Sequence, residues 1–145
     1  MKKALALAGS PRRGGNSDLL LQEFMKGVSS RGCQVEIIYV SQLKISPCVE
    51  CNSCYKTGEC IIKDDMQGVY PRLLDSDYLI VATPIFFMGP SAQLKALIDR
   101  CQAIWAKKYI LKKKWDTSGK KGFLIATCAL TKKEGVFTGA INTAK

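Results

Sequence analysis

The chain has 145 residues, of which 47% are apolar and 23% are charged, and this size and composition fit one soluble domain with a hydrophobic core. No apolar run approaches the roughly 18 residues of a membrane-spanning helix, so we expect no membrane association. The absence of histidine excludes every mechanism that needs an imidazole base, an imidazole partner for a nucleophile or an imidazole metal ligand.

The net charge of +10 arises from 22 Lys and Arg residues against 12 Asp and Glu residues. Much of the charge comes from seven lysines near the C-terminal end, which are Lys107, Lys108, Lys112, Lys113, Lys114, Lys120 and Lys121. Such a patch is a candidate surface for nucleic acid or a membrane. We favour a solvated face that also attracts phosphate-bearing cofactors, and no nucleic-acid partner, because no aromatic stacking pattern or nucleic-acid-binding motif accompanies the charges.

The N-terminal segment imitates the charged and apolar regions of a signal peptide, but its apolar part is short and leads into a Gly- and Arg-rich loop. We therefore interpret residues 3–8 as a buried strand and expect the protein to be cytoplasmic. Seven cysteines are present, and four of them lie between positions 48 and 60. In a cytosolic chain this crowding favours metal or redox chemistry over a disulfide framework.

Strands and helices alternate along the predicted chain. Continuous apolar or β-branched runs predict strands over residues 3–8, 34–40, 77–83 and 122–128. Apolar residues at helical spacing predict helices over residues 17–30, 65–75 and 91–108. This alternation implies right-handed crossovers and an α/β fold, with a doubly wound parallel sheet covered by helices on both faces.

Single residues refine the predicted helix ends. Ser17 or Asn16 is placed to cap the first helix, and Gly32 is placed to stop it. Pro71 lacks a backbone donor, so we expect it to kink or restart the second helix. Residues 135–145 read as the beginning of a further helix.

The residues after Cys128 are too few for another helix, a fifth strand and a last helix, so we expect the single domain spanning residues 1–145 to be truncated after strand four. Strand four would then be an exposed edge. We also expect apolar surface left in water to drive self-association into a homodimer or a higher homo-oligomer.

The loop from Gly9 to Ser17 follows strand one and is a candidate phosphate site. In a doubly wound sheet, ligands bind beyond the carboxyl ends of the strands, where the strand order reverses. Glycines such as Gly14 let backbone N–H groups approach a phosphate, Ser10, Asn16 and Ser17 can donate to it, and Arg12 can neutralise it. The loop has neither the Walker pattern nor the three-glycine dinucleotide pattern, and a monophosphate such as that of FMN fits it better than a nucleoside triphosphate.

The pattern Gly-Ser-Pro-Arg-x-x-Gly-Asn-Ser resembles the FMN phosphate loop of the NADPH-dependent FMN reductase family, whose fold is flavodoxin-like. The segments Asp64-Asp65-Met66, Thr83–Phe87 and Gln93–Arg100 resemble the family at matching places, so the similarity spans about residues 3–128. The resemblance implies that the flavin ring lies against the loop after strand three, which comprises Pro84, Ile85, Phe86, Phe87, Met88 and Gly89. An apolar loop at this edge can cover a flat ring. The alternative, that both phenylalanines are core residues, is disfavoured because adjacent side chains cannot both enter one core.

The cysteines Cys48, Cys51, Cys54 and Cys60 have the compact spacing of bacterial ferredoxin ligands, so we favour a [4Fe–4S] cluster over zinc and over free or partly disulfide-linked thiols. Within the family, the motif is similar to that of the iron–sulfur flavoproteins. The other cysteines, Cys33, Cys101 and Cys128, are predicted to be small core residues.

An FMN and a cluster together predict an electron-transfer flavoprotein that couples two-electron and one-electron carriers, with NAD(P)H or a small electron-carrier protein as partner. One alternative is an NAD(P)H-dependent reductase of FMN or quinones that has no cluster. A second alternative is a non-catalytic redox sensor or binding module. Hydride transfer needs no protein acid or base, so no catalytic residue is assigned.

Overall fold

The computed structural model describes residues 1–130 and 134–145, and its centre is a four-stranded parallel sheet. The strands are β1 (Lys3–Ala8), β2 (Gln34–Tyr39), β3 (Tyr78–Pro84) and β4 (Lys121–Thr127). They lie in the order β2-β1-β3-β4, and every neighbouring pair is parallel. The chain turns to one side of β1 for β2 and to the other side for β3, which is the flavodoxin-like order. The predicted doubly wound α/β fold is confirmed.

Six α-helices flank the sheet within the described residues. They are α1 (Asn16–Ser29), α2 (Cys54–Thr57), α3 (Met66–Asp75), α4 (Ala92–Arg100), α5 (Gln102–Trp105) and α6 (Thr138–Ala144). A 3₁₀ turn at Val40–Gln42 follows β2, and a π-helical turn at Ala106–Ile110 follows α5. None of the helices in the described part of the chain is long and apolar enough to cross a membrane.

The core lies on both faces of β1, because alternate residues of this strand point in opposite directions. Leu5 and Leu7 pack in a cluster with residues of α3 and α4, whereas Ala6 packs in a second cluster with Leu21 and Met25 of α1. All of the residues from Ala4 to Ala8 are buried. The apolar run that predicted a strand covered on both faces therefore has that environment.

The start of α1 differs from the prediction. Gly15 is the N-cap residue, with extended backbone angles and no capping side chain, and Asn16 and Ser17 already lie in the first helical turn. A side-chain cap must come from a residue outside the helix, so neither Asn16 nor Ser17 can provide one. Gly32 has a φ of 79° just beyond the helix, as expected for a stop signal.

Two further helix predictions are changed by the structure. Helix α3 continues through Pro71, so the expected restart is absent and a kink stays a prediction; the proline removes only one backbone hydrogen bond, and Met66 and Val69 anchor the helix in the core. The predicted helix over residues 91–108 is divided into α4 and α5 at Cys101 and ends in the π-helical turn. The amphipathic pattern records the buried face but not the change in hydrogen bonding.

Strand β4 is at an edge of the sheet, as predicted. Beside it, Phe24 of α1 and Phe123 of β4 are partly exposed, with 5.6 Å between their ring centroids. The two rings help to line an apolar cleft of about 660 Å³. Self-association through this region stays a prediction.

Candidate functional site

The phosphate-loop candidate lies where the strand order reverses, between β1 and β3. The N–H of Gly9 donates to the carbonyl of Ala82 at 2.7 Å, which ties the start of the loop to β3. A Cβ at Gly9 would stand 2.8 Å from that carbonyl oxygen and 2.8 Å from the side chain of Leu94, so only glycine fits. Helix α1 begins at the end of the loop, and the N–H groups of its first turn have no acceptors within the helix. This is the geometry of an anion site.

Of the predicted phosphate ligands, Arg12 brings a positive charge to the helix start. Its guanidinium Nε is 3.2 Å from the position of a Cβ on Gly15, so the positive charge lies over the N-cap of α1. The hydroxyl of Ser10 accepts from the Arg12 N–H at 3.1 Å and therefore shapes the loop from within. Asn16 is exposed, and Ser17 is buried in the first turn.

The sequence analysis missed Asp18, which organises this loop. Asp18 is buried, and one of its carboxylate oxygens accepts from the N–H of Gly14 at 2.7 Å. Gly14 has a φ of 71°, and this bond holds it in the left-handed conformation. The same oxygen lies 3.7 Å from Nε of Arg13, whose guanidinium stacks on the ring of Tyr39 at 3.4 Å. An acidic residue in the first turn of a helix was the signal available in the sequence.

The loop after β3 presents an exposed apolar turn at the same edge of the sheet. Phe86 and Gly89 exchange backbone hydrogen bonds of 2.9 and 3.1 Å, and the two residues between them, Phe87 and Met88, both have positive φ. Such a turn normally contains glycine or asparagine, so the backbone is strained. Phe87 is fully exposed and Phe86 is about half exposed, so neither is a core residue. Pro84 and Ile85 lead into the turn and are partly buried.

Helix α4 joins the two loops. Its N-cap residue, Ser91, is fully buried and donates its hydroxyl hydrogen to the carbonyl of Gly9. The Ser91 N–H in turn donates to the hydroxyl of Thr83 at 3.1 Å. The phosphate-loop candidate and the loop after β3 are therefore held in a fixed relation by a buried serine and a buried threonine.

The four clustered cysteines line one cleft of about 330 Å³, which opens between the loop after β2 and helices α4 and α5. Glu50 and Asn52, which flank Cys51, both have positive φ although neither is glycine. Left-handed residues in a turn direct successive backbone N–H groups to one concave face, as in many iron–sulfur sites. Within residues 1–130 and 134–145, no group of three or more His, Cys, Asp or Glu side chains has the geometry to hold a metal ion.

The thiols of this cleft affect one another electrostatically. Partial burial raises the pKa of Cys54, and the neighbouring Cys60, Cys48 and Cys51 raise it further. Hydrogen bonds from the backbone and side chain of Ser53 lower the pKa of Cys51. The other cysteines, Cys33, Cys101 and Cys128, do not line the cleft and are only partly buried, so the prediction that they are core residues holds in part.

A second residue that the sequence analysis missed is Arg100, the last residue of α4. Its side chain is fully buried against the segment of residues 46–62, which carries the four cysteines and is called the cysteine loop below. It forms a bidentate ion pair with Asp64, with N–O distances of 2.7 and 3.1 Å. Burial alone would lower the pKa of Arg100, but the hydrogen bonds to Asp64 and the neighbouring Cys60 raise it above its ordinary value. Arg100 lies three residues after Leu97, which continues the spacing of Ser91 and Leu94. This spacing was the available signal, because all four residues lie on the buried face of the helix.

Known proteins resemble this chain in sequence and in structure. An iron-sulfur flavoprotein from Archaeoglobus fulgidus is 42% identical over 105 residues, and one from Methanocaldococcus jannaschii is 35% identical over 102 residues. These alignments cover 72% and 70% of this chain but 53% of each relative, so the chain spans about half the length of the curated relatives that it matches.

Among solved structures, an azoreductase from Bacillus anthracis str. Sterne superimposes with a TM-score of 0.71 at 15% identity. The match covers 98% of this chain and 77% of the azoreductase, and at this identity it supports the fold alone. The model of the NADPH-dependent FMN reductase family matches residues 2–133. The chain belongs to this family of NADPH-dependent FMN reductases.

Proposed function

We propose that this chain is the FMN-binding part of an electron-transfer flavoprotein with oxidoreductase activity, and that Cys48, Cys51, Cys54 and Cys60 hold a [4Fe–4S] cluster. The observation that carries the proposal is the convergence of all four cysteines on one cleft. The cleft follows β2 and the phosphate-loop candidate follows β1, so both lie at the carboxyl edge of adjacent parallel strands.

The loop from Gly9 to Ser17 fits the phosphate of FMN. Arg12 would neutralise the phosphate, the N–H groups of the first turn of α1 would face it, and Ser10, Asn16 and Ser17 would add side-chain donors. Gly14, whose own N–H is bound by Asp18, would shape the loop around the phosphate. Arg12 already lies over the N-cap residue, so a bound anion would meet a positive charge and a helix start together.

The residues from Pro84 to Gly89 fit the flavin ring. Their exposed apolar side chains would cover its face and exclude water, and the backbone N–H groups of Phe87 and Met88, between the paired Phe86 and Gly89, would bond its polar edge. Because Phe87 and Met88 are held in strained conformations, the turn is fixed before a ligand binds. When bound, FMN supplies electron exchange in steps of one or two.

A cluster and a single metal ion place different demands on the cysteine cleft. Each thiolate of a [4Fe–4S] centre binds a different iron, so the four sulfurs surround a volume and do not converge on one point. The absence of a single-ion site among the described residues is therefore compatible with a cluster. Cys54 and Cys60 are partly buried residues, which would limit the access of water to the centre.

The proposal makes the protein a converter between two-electron and one-electron carriers. NAD(P)H or a small electron-carrier protein is the proposed partner, and a homodimer or a higher homo-oligomer is the proposed assembly. The cluster would pass electrons singly, whereas the flavin would also accept them in pairs. The chain's own residues would position the two groups and would not exchange protons with a substrate.

The test is anaerobic purification followed by measurement of the absorption spectrum, iron, sulfide and flavin. The expected result is one FMN and about four irons per chain. Changing any one of the four cysteines to Ala should lower the iron content while FMN binding survives. Cys33→Ala is the matched control, because this cysteine lies outside the cleft, and it should leave iron and FMN unchanged. Flavin without iron or sulfide would contradict the cluster.

A second candidate function is an NAD(P)H-dependent reductase of FMN or quinones that has no cluster. The lack of a three-residue metal site in the described part of the chain favours it. Protein that contains flavin, no iron, and NAD(P)H oxidation activity would support this candidate. Protein that stays colourless after incubation with FMN would instead support a non-catalytic module.

A further inference from the structure

Arg100 is a charged side chain enclosed by the molecule. Its exposed fraction is 0%, whereas its partner Asp64 retains 12% exposure. A buried guanidinium is costly unless acceptors surround it, so its position requires a compensating arrangement. The compensating acceptors come from the two ends of the cysteine loop and from Asp64.

The guanidinium bridges the two ends of this loop. One nitrogen donates to the carbonyl of Ser46 at 2.9 Å, two residues before Cys48. Another donates to the carbonyl of Ile62 at 3.2 Å, two residues after Cys60. These two bonds therefore tie one guanidinium to both ends of the segment that carries all four cysteines.

Asp64 reinforces the same closure. Besides its bidentate pair with Arg100, it accepts from the N–H of Ser46 at 2.9 Å and from the N–H of Met66 at 3.1 Å. The carboxylate therefore links the entry of the loop to the start of α3. From the other side, the hydroxyl of Tyr70 in α3 donates to the carbonyl of Arg100 at 2.9 Å.

Two observations direct Arg100 toward the cysteines. Arg100 borders the same cleft as the four cysteines, and Cys60 contributes to the raised pKa of its guanidinium. Its Nε is buried and has no acceptor among the described residues. A buried donor without a partner is unusual in a folded protein.

We propose that Arg100 is a positioning residue that closes the cysteine loop, brings Cys60 to the other three cysteines and supplies a buried positive charge beside the centre they form. The inference rests on the proposed function for its redox consequence. A cation beside the centre favours the state with the additional electron, so Arg100 raises its midpoint potential. Removal of the charge lowers that potential, whereas a purely structural role would not move it.

The experiment compares Arg100→Lys, Arg100→Gln and the unmodified chain after anaerobic reconstitution with iron and sulfide. Arg100→Lys keeps the positive charge but loses the several hydrogen bonds that the planar guanidinium makes. The expected result is a lower iron content with a midpoint potential near that of the unmodified chain. Arg100→Gln should lower both the iron content and the potential. Arg72→Gln is the matched control, because Arg72 is half exposed and pairs with Glu36 at the surface, and it should change neither.

A measurement on iron-free protein separates this inference from the cluster itself. Loss of the guanidinium hydrogen bonds should accelerate alkylation of Cys60 by iodoacetamide about tenfold in both Arg100 variants, because the cysteine loop opens more often. If the unmodified chain contains no iron but both variants are alkylated faster, the cluster is refuted and the role of Arg100 in closing the cysteine loop stands. An unchanged alkylation rate in Arg100→Lys would refute the role of Arg100 in closing the cysteine loop, even if Arg100→Gln fails to fold. Equal potentials in the Lys and Gln variants would overturn the role of the charge.

Discussion

Replacement of Gly9 by alanine tests the close packing on which the phosphate-loop candidate depends. The added methyl would stand 2.8 Å from the carbonyl oxygen of Ala82 and 2.8 Å from a methyl of Leu94. Overpacking costs about 1–3 kcal/mol, and we expect about 2–3 kcal/mol because the carbonyl is backbone and cannot rotate away. Against a typical free energy of unfolding of about 5–15 kcal/mol, this loss is large.

The assay is urea denaturation with linear extrapolation, comparing midpoints at equal slopes. Gly68→Ala is the matched control, because Gly68 lies in an exposed part of α3 and has no atom within 4 Å of an added Cβ. It should stabilise the protein by about 0.5–1 kcal/mol. A Gly9→Ala midpoint equal to or above that of the unmodified chain would refute the packing argument. In the folded fraction, displacement of the loop from β3 should also weaken FMN binding, which a fluorescence titration measures.

Arg12→Ala should weaken FMN roughly tenfold and riboflavin much less, because only FMN carries the phosphate charge; equal losses for both ligands would contradict the assignment of the loop. Asp64→Asn should reduce stability at neutral pH and flatten its loss in acid. Burial opposes ionisation of Asp64, but hydrogen bonds from Arg100 and the backbone lower its pKa, so its stabilisation is present above the unfolded pKa of about 3.9 and is lost as the pH falls through the folded value. Unfolding measured from pH 6 to pH 2 checks this, and parallel curves for the two proteins would contradict it.

The sequence predicted the strands closely because their cause is local and strong. The first strand has the predicted bounds, and the other three lie within one residue of theirs, since each is rich in apolar or β-branched residues. Their parallel direction followed from the alternation of strands and helices. The observed order, β2-β1-β3-β4, agrees with the flavodoxin-like fold that the family resemblance implied. The gathering of the four cysteines in one cleft agrees with the spacing argument.

The features that escaped prediction depend on long-range partners. Glu50 and Asn52 adopt positive φ without glycine, which no local propensity indicates. Arg100 carries a charge, so a reading by hydropathy assigns it to the solvent face, although it continues the buried row of α4. Its burial becomes intelligible only once Asp64 is placed against it, and that contact joins residues 36 positions apart.

Helix α4 connects the two proposed centres. At its start, Ser91 bonds to Gly9 of the phosphate-loop candidate, and at its end, Arg100 holds the cysteine loop. Leu94 and Leu97 lie between them on the same buried face, so the helix is fixed along its whole length. Because a packed interior leaves little room for independent adjustment, a displacement of one end of this helix should also move the other end. The flavin and cluster proposals therefore share one structural support, and a lesion at Ser91 should disturb the cysteine loop as well as the phosphate loop.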